Sequence, residues 1–264
     1  MVDSGIDEQM ERASEALARM NYLECERLCL ETLALARGAG RFEDYARILL
    51  PLQESRRQRR LTAAEGVIRL GTATLEGGPA DWLPRLNPGC ILLTRPHGPA
   101  QAQSLLNLAR DQGLHIEVLL ADNAAADEKW QLRAFAGPDV RCDVDAPPRT
   151  WRDRWLHARE VQAGQGEIEL DPSGYFLAAS EALGDEALRM AESEDDTLAR
   201  LARLEACLEV ITDHELLHQA LARTARGLAL QADASPPNRG EPAPPGPDAS
   251  ARPPTERPGP GVTP

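Results

Sequence analysis

The sequence predicts a mixed α and α/β protein, in which helical hairpins flank a small α/β domain and a disordered, proline-rich C-terminal tail follows. Three observations predict this class. Apolar residues recur at helical spacing at both ends, short apolar runs separated by a helical pattern fill the middle, and 11 of the 21 prolines lie between Pro236 and Pro264. The predicted organisation is helical over 1–64, α/β over 65–147, helical over 148–232 and tail over 233–264.

The first 64 residues are predicted to form helices. Asn21, with Glu24 three residues later, is typical of a helix start, and a second helix is expected from about residue 42 to residue 60. This second helix ends in a basic cluster, Arg56, Arg57, Arg59 and Arg60. Because cations are favoured at a helix C-terminus, we expect a solvated helix end, with a phosphate-contacting patch as the alternative.

The middle of the chain has the pattern of a βαβ unit. Residues 90–93 and 116–120 are continuous apolar runs, and a helical pattern ending at Gly113 lies between them. This order implies two parallel strands with a right-handed crossover. Residues 131–135 and 140–144 then flank a turn and alternate between apolar and polar, which predicts a hairpin at the edge of the sheet.

Helical patterns return after Pro147 and Pro148. Trp151 and Trp155 are four residues apart, so on a helix they would share one face. Further helices are expected over residues 175–183, 185–191, 198–210 and 213–230.

A run in the first helical region resembles part of a tetratricopeptide repeat, namely Ala13, Leu17, Tyr22, Cys25, Cys29 and Leu33. A fainter match of the same kind comprises Leu204, Cys207, Leu208 and Thr212. Each match covers about one repeat, whereas at least three stacked repeats normally bury a continuous core. The resemblance implies packing of helical hairpins and, by analogy, binding of a partner protein.

Composition excludes several function classes. With 42 acidic and 29 basic residues the net charge is −13, which opposes binding to nucleic acid or to an anionic membrane. Lys129 is the only lysine and follows no glycine-rich loop, so neither a phosphate-binding loop nor a lysine Schiff base is expected. No cofactor is predicted.

The five cysteines are scattered, without a CxxC pair, which indicates a reducing cytoplasm. Cys25 and Cys29 are expected to be buried thiols rather than metal ligands. Neither a signal peptide nor a membrane span is expected, and the arginine-rich composition suggests a bacterial protein.

One short motif has a catalytic meaning. His214, Glu215 and His218 fit the pattern H-E-x-x-H, in which two histidines bind zinc and the glutamate acts as a general base. The favoured alternative is structural, because Thr212 and Glu215 have the spacing of a capping box at a helix start. A zinc-dependent hydrolase is therefore the least favoured function.

A second candidate site lies after the two parallel strands. Thr94, Arg95 and His97 follow the first strand, and Asp122 and Asn123 follow the second, so all five are expected at one edge of the sheet. Arginine and histidine beside a helix N-terminus could bind a small anion. The favoured alternative for residues 94–99 is a plain tight turn.

The leading functional hypothesis is a non-catalytic protein that binds other proteins or acts as a scaffold. The first alternative is an enzyme or sensor that binds a small anionic ligand at the strand ends, and the second is the zinc hydrolase. No nucleic acid or membrane partner is expected.

Overall fold

The structure is a computed structural model that describes residues 2–123, 128–157 and 171–234. Within these residues the chain forms eight helices and six strands, a mixed α and α/β architecture, which confirms the predicted class. The helices are α1 (Val2–Ala18), α2 (Tyr22–Gly38), α3 (Phe42–Ala64), α4 (Pro79–Leu86), α5 (Pro99–Asp111), α6 (Pro172–Glu192), α7 (Thr197–Leu208) and α8 (Glu215–Ala234). The strands are β1 (Val67–Leu70), β2 (Gly89–Leu93), β3 (Ile116–Asn123), β4 (Lys129–Arg133), β5 (Arg141–Asp145) and β6 (Trp155–His157).

The six strands form one sheet in the order β5-β4-β3-β2-β1-β6. Strands β1, β2 and β3 are parallel, which confirms the predicted pairing of residues 90–93 with residues 116–120. Strands β4 and β5 form the predicted antiparallel hairpin, and β5 lies at the edge. Strand β6 pairs antiparallel with β1 at the opposite edge and was not predicted.

The two faces of the sheet are covered by different helices. Side chains of α4 and α5, such as Leu83 and Leu105, pack with Ile91 and Val118 in one core cluster. The opposite face, which includes Leu92 and the other alternate strand residues, belongs to a second core cluster with the remaining helices. The sheet is therefore the middle layer of a three-layer structure.

The second core cluster is continuous from the helices of residues 2–64 through the sheet to the helices of residues 171–234. Helix α3 makes contacts with α1, α2 and α8, and α8 in turn packs against α6 and α7. Cys25 and Cys29 are buried in this core, as predicted. The two terminal helical regions thus pack directly on each other.

Several predicted elements differ from the structure. Trp151 lies in a turn and Trp155 begins β6, so the two tryptophans do not share a helix face. The helices expected over 175–183 and 185–191 are one helix, α6, and α4 was not predicted. Asn21 is at the start of α2, as predicted, but its side chain makes no capping hydrogen bond.

Residues 233 and 234, assigned to the tail by the sequence, are the last residues of α8. The rest of the predicted tail, residues 235–264, lies outside the described residues. Among the helices described, none has the length and apolarity needed to cross a bilayer.

Candidate functional site

Of the five strand-end residues predicted to bind an anion, Thr94, His97 and Asp122 make local contacts. Thr94 is buried and pairs with Thr72, which follows β1. The Thr94 hydroxyl accepts a hydrogen bond from the Thr72 N–H at 2.8 Å, and the Thr72 hydroxyl accepts one from the Thr94 N–H at 2.9 Å. Thr94 therefore joins the ends of β1 and β2.

The other strand-end residues have separate surroundings. Arg95 is exposed, whereas the His97 ring lies edge-on to Trp82, with its Nε2 atom 3.1 Å from the Leu75 carbonyl oxygen. Asp122 accepts a hydrogen bond from Arg133 of β4 at 3.0 Å. Asn123 is the last residue of β3, and its side chain is outside the described ones.

The sheet topology also bears on this edge. In open α/β sheets the ligand crevice forms where successive connections leave for opposite faces. Here α4 connects β1 to β2, α5 connects β2 to β3, and both helices pack in the same core cluster on one face. The three parallel strands therefore lack the reversal that opens such a crevice.

The first histidine of the H-E-x-x-H motif is a helix cap. Helix α8 begins at Glu215, and the His214 Nδ1 atom accepts a hydrogen bond from the Leu217 N–H at 3.2 Å. The predicted capping box is therefore wrong, because the helix starts three residues after Thr212 and the Glu215 side chain instead accepts a hydrogen bond from Gln219. The His214 imidazole takes the place that a serine or aspartate oxygen usually has.

The two histidines of the motif face different groups. The His214 Nε2 atom is 3.2 Å from Asp185 Oδ1, whereas the His218 Nε2 atom is 3.4 Å from Arg56 Nη1. His218 Nδ1 contacts the His214 carbonyl oxygen at 2.9 Å. Within the described ranges no group of three or more histidine, cysteine, aspartate or glutamate side chains has the arrangement of a metal site.

The basic cluster of α3 is only partly solvated, because Arg57 is exposed whereas Arg56 and Arg59 are buried. Helix α3 continues to Ala64, and Arg56 and Arg59 are 4% and 5% exposed. Both pair with Glu26 of α2, which is also buried: Arg56 Nε donates to Glu26 Oε1 at 2.9 Å, and Arg59 Nη1 donates to Glu26 Oε2. The prediction fails because the sequence does not show that a carboxylate from another helix enters this position.

The network extends to the beginning of α8. Arg60 of α3 forms ion pairs with Asp213 at 2.5 Å and with Glu181 of α6 at 2.6 Å. Arg56 also donates to the Leu208 carbonyl oxygen at the end of α7. Three arginines of one helix thus hold α2, α6, α7 and the start of α8 in place.

Burial shifts the pKa values of several groups around this network. Burial works to raise the pKa of Glu26, but the charges of Arg56 and Arg59 outweigh it and lower that pKa. Burial, helped by Arg56, lowers the pKa of His218 to about 3. Burial raises the pKa of Glu117, on β3, to about 7.

These shifts predict how stability depends on pH. Between about pH 3 and 6.5 the unfolded chain binds more protons at His218, so this residue makes stability rise with pH. Between 4.5 and about 7 the folded chain binds more protons at Glu117, which has the opposite effect. We therefore expect the contributions of His218 and Glu117 to offset each other from pH 4.5 to 6.5. Below pH 4.5 stability should fall as the pH falls, because the lowered pKa of Glu26 means that the unfolded chain binds a proton there more readily than the folded chain.

The variant His218→Gln tests this expectation by urea unfolding from pH 3.5 to 7. It removes a contribution of up to about 1.4 kcal/mol per pH unit, so its acid limb should be shallower. As the pH rises from 4.5 to 6.5, the stability of the variant should fall, because the contribution of His218 no longer offsets that of Glu117. Parallel profiles for the two proteins would contradict the assignment.

A groove of about 840 Å³ opens between α1, α3 and α8. Each of the three helices contributes a small side chain to the lining: Ser14, Ala46 and Ala222. His218, buried over Arg56, forms part of its floor. The buried charge network therefore supports the base of the groove.

The wall of the groove is mainly apolar. Leu17 of α1 and Leu49 and Leu50 of α3 all contribute, and Leu50 is 72% exposed. Because apolar area in contact with water costs free energy, covering Leu50 together with the apolar wall by an apolar ligand would be favourable. The groove was not predicted, because each helix alone shows only an amphipathic stripe.

The fold and the groove define this chain as a mixed α and α/β protein with a helical groove on one side. No protein-family model, curated protein or solved structure matches it.

Proposed function

We propose that this protein is a non-catalytic interaction module that binds a helical segment of a partner protein in the groove between α1, α3 and α8. The observation that carries the proposal is the apolar groove with the exposed Leu50 at its wall. A catalytic function has less support, because the Glu215 side chain accepts a hydrogen bond from Gln219 and the His218 ring faces Arg56.

The shape favours a helix as the occupant. The groove is bounded by three helices, and an amphipathic helix places residues i, i+3, i+4 and i+7 as one apolar row in such a groove. The residues that resemble a tetratricopeptide repeat lie mostly in α1 and α2, which form a helical hairpin. That resemblance adds support for partner binding by analogy.

The variant Leu50→Asp tests the proposal. Helical peptides about four turns long are selected from a displayed library against the full chain, and affinities are measured by fluorescence anisotropy. We expect Leu50→Asp to weaken the selected peptides by about tenfold or more, since it puts a charge on the apolar wall.

Leu230→Asp is the matched control. Leu230 lies on α8, is 70% exposed and does not line the groove, so this variant should retain the wild-type affinity. Both leucines are exposed, so neither change should unfold the protein, which circular dichroism checks. Selected peptides that bind Leu50→Asp as tightly as the wild type would refute the proposal.

A further inference from the structure

We propose that the groove selects acidic amphipathic helices and that Arg223 and Arg226 of α8 bind the carboxylates beside the partner's apolar row. This inference rests on the proposed function and specifies the chemistry of the partner. The chain as a whole carries a net charge of −13, so a site for an acidic partner requires a local reversal of charge.

The residues that line the groove show this reversal. They include three arginines, Arg47, Arg223 and Arg226, and a single carboxylate, Glu54. Arg47 is bonded to Asp44 at 3.1 Å, and Glu54 accepts a hydrogen bond from Gln58. The local excess of positive charge is therefore carried by the two arginines of α8.

Arg223 and Arg226 have no ion-pair or hydrogen-bond partner among the residues that the structure describes. By contrast, Arg56, Arg59 and Arg60 of α3 are each paired with a carboxylate. In a chain with 13 more acids than bases, two adjacent unpaired arginines at the rim of an apolar groove are available to a ligand.

Their spacing suits a helix. Positions i and i+3 lie on the same face of α8, about 4.5 Å apart along the axis, so both guanidinium groups are exposed at one rim. A partner helix that buries its apolar row against Leu49, Leu50 and Ala222 would bring its flanking glutamates or aspartates to that rim. Guanidinium groups bind carboxylates through two parallel hydrogen bonds.

Other polyanions are less suitable occupants. Nucleic acid binding depends on an extended basic surface, and the remainder of this chain is strongly acidic. The apolar wall around Leu50 would also remain exposed to water beneath a phosphate backbone. The polysaccharide heparin serves as a probe for this alternative.

The test compares peptide selections on the wild type and on the charge-reversed variant Arg223→Glu/Arg226→Glu. We expect wild-type selections to enrich Glu and Asp beside the apolar row, and the variant to enrich Lys and Arg. An acidic peptide from the first selection should lose about tenfold in affinity for the variant, and its wild-type affinity should fall between about 0.1 and 1 M salt.

A variant with the same change of charge outside the groove, Arg95→Glu/Arg154→Glu, is the control and should leave that affinity unchanged. If the wild type selects neutral or basic peptides and their binding depends on Leu50, this inference is wrong but the proposed function is supported. Heparin is the probe for polyanions. If heparin binds the wild type and Leu50→Asp equally but does not bind Arg223→Glu/Arg226→Glu, the two arginines bind polyanions and this inference is wrong. Peptides that bind independently of Leu50 would remove the proposed function itself.

Discussion

Glu26→Gln is expected to lower the free energy of unfolding by about 3–5 kcal/mol, measured by urea denaturation at pH 7. The side chain keeps its size but loses its charge, so Arg56 and Arg59 remain buried without a carboxylate. An unpaired buried cation keeps the full cost of its desolvation. The loss should therefore far exceed that of an exposed ion pair.

Glu31→Gln is the matched control. Glu31 is on the same helix, about half exposed, and pairs only with Arg27, so its loss should cost about 0.5 kcal/mol or less. If Glu26→Gln does not fold, the triple variant Glu26→Leu/Arg56→Met/Arg59→Met provides the test. Removing all three buried charges should restore folding, because no unpaired cation then remains buried. Equal effects of the two glutamine variants would show that the buried pairs contribute no more than surface pairs.

Gly184→Ala is expected to destabilise the protein by about 1–3 kcal/mol, through overpacking against the cap of α8. Gly184 lies inside α6, and a Cβ atom there would be 2.2 Å from His214 Cδ2 and 2.3 Å from His214 Cγ. The imidazole would have to move, and it would then lose the hydrogen bond from the Leu217 N–H. Thermal or urea unfolding measures the loss.

Gly227→Ala is the control for helix propensity. Gly227 lies inside α8, and a Cβ atom there meets nothing within 4 Å. Alanine is favoured over glycine in a helix, so this variant should gain about 0.5–1 kcal/mol of stability. A gain in both variants would mean that α6 and the His214 ring can separate without cost.

The sequence predicted the parts of the fold that depend on local patterns. The apolar runs of β2 and β3, the helix between them and the β4–β5 hairpin each have a periodicity that specifies one type of element. Two short elements, α4 and β6, were not predicted. Helix α4 has only eight residues and includes Pro84 in its interior, which counts against a helix in the sequence, and strand β6 has three residues.

The sequence was least informative where charged residues are involved. The rule that arginines remain in solvent is sound for a helix considered alone, and it fails at Arg56 and Arg59 because Glu26 approaches from α2. Likewise, the sequence could not show whether the two histidines of H-E-x-x-H bind a metal. In the structure Arg56 lies against His218 and Asp185 lies against His214.

The sequence by itself determined the class of fold, the parallel strand pair and the burial of Cys25 and Cys29, because apolar spacing reports which side of an element leaves water. The tertiary structure alone decided which charges are buried, which histidine caps α8 and where a groove opens. These depend on which side chains from distant segments meet, such as Glu26 of α2 with Arg56 and Arg59 of α3. The spacing of residues along one helix carries no information about the helix that packs against it.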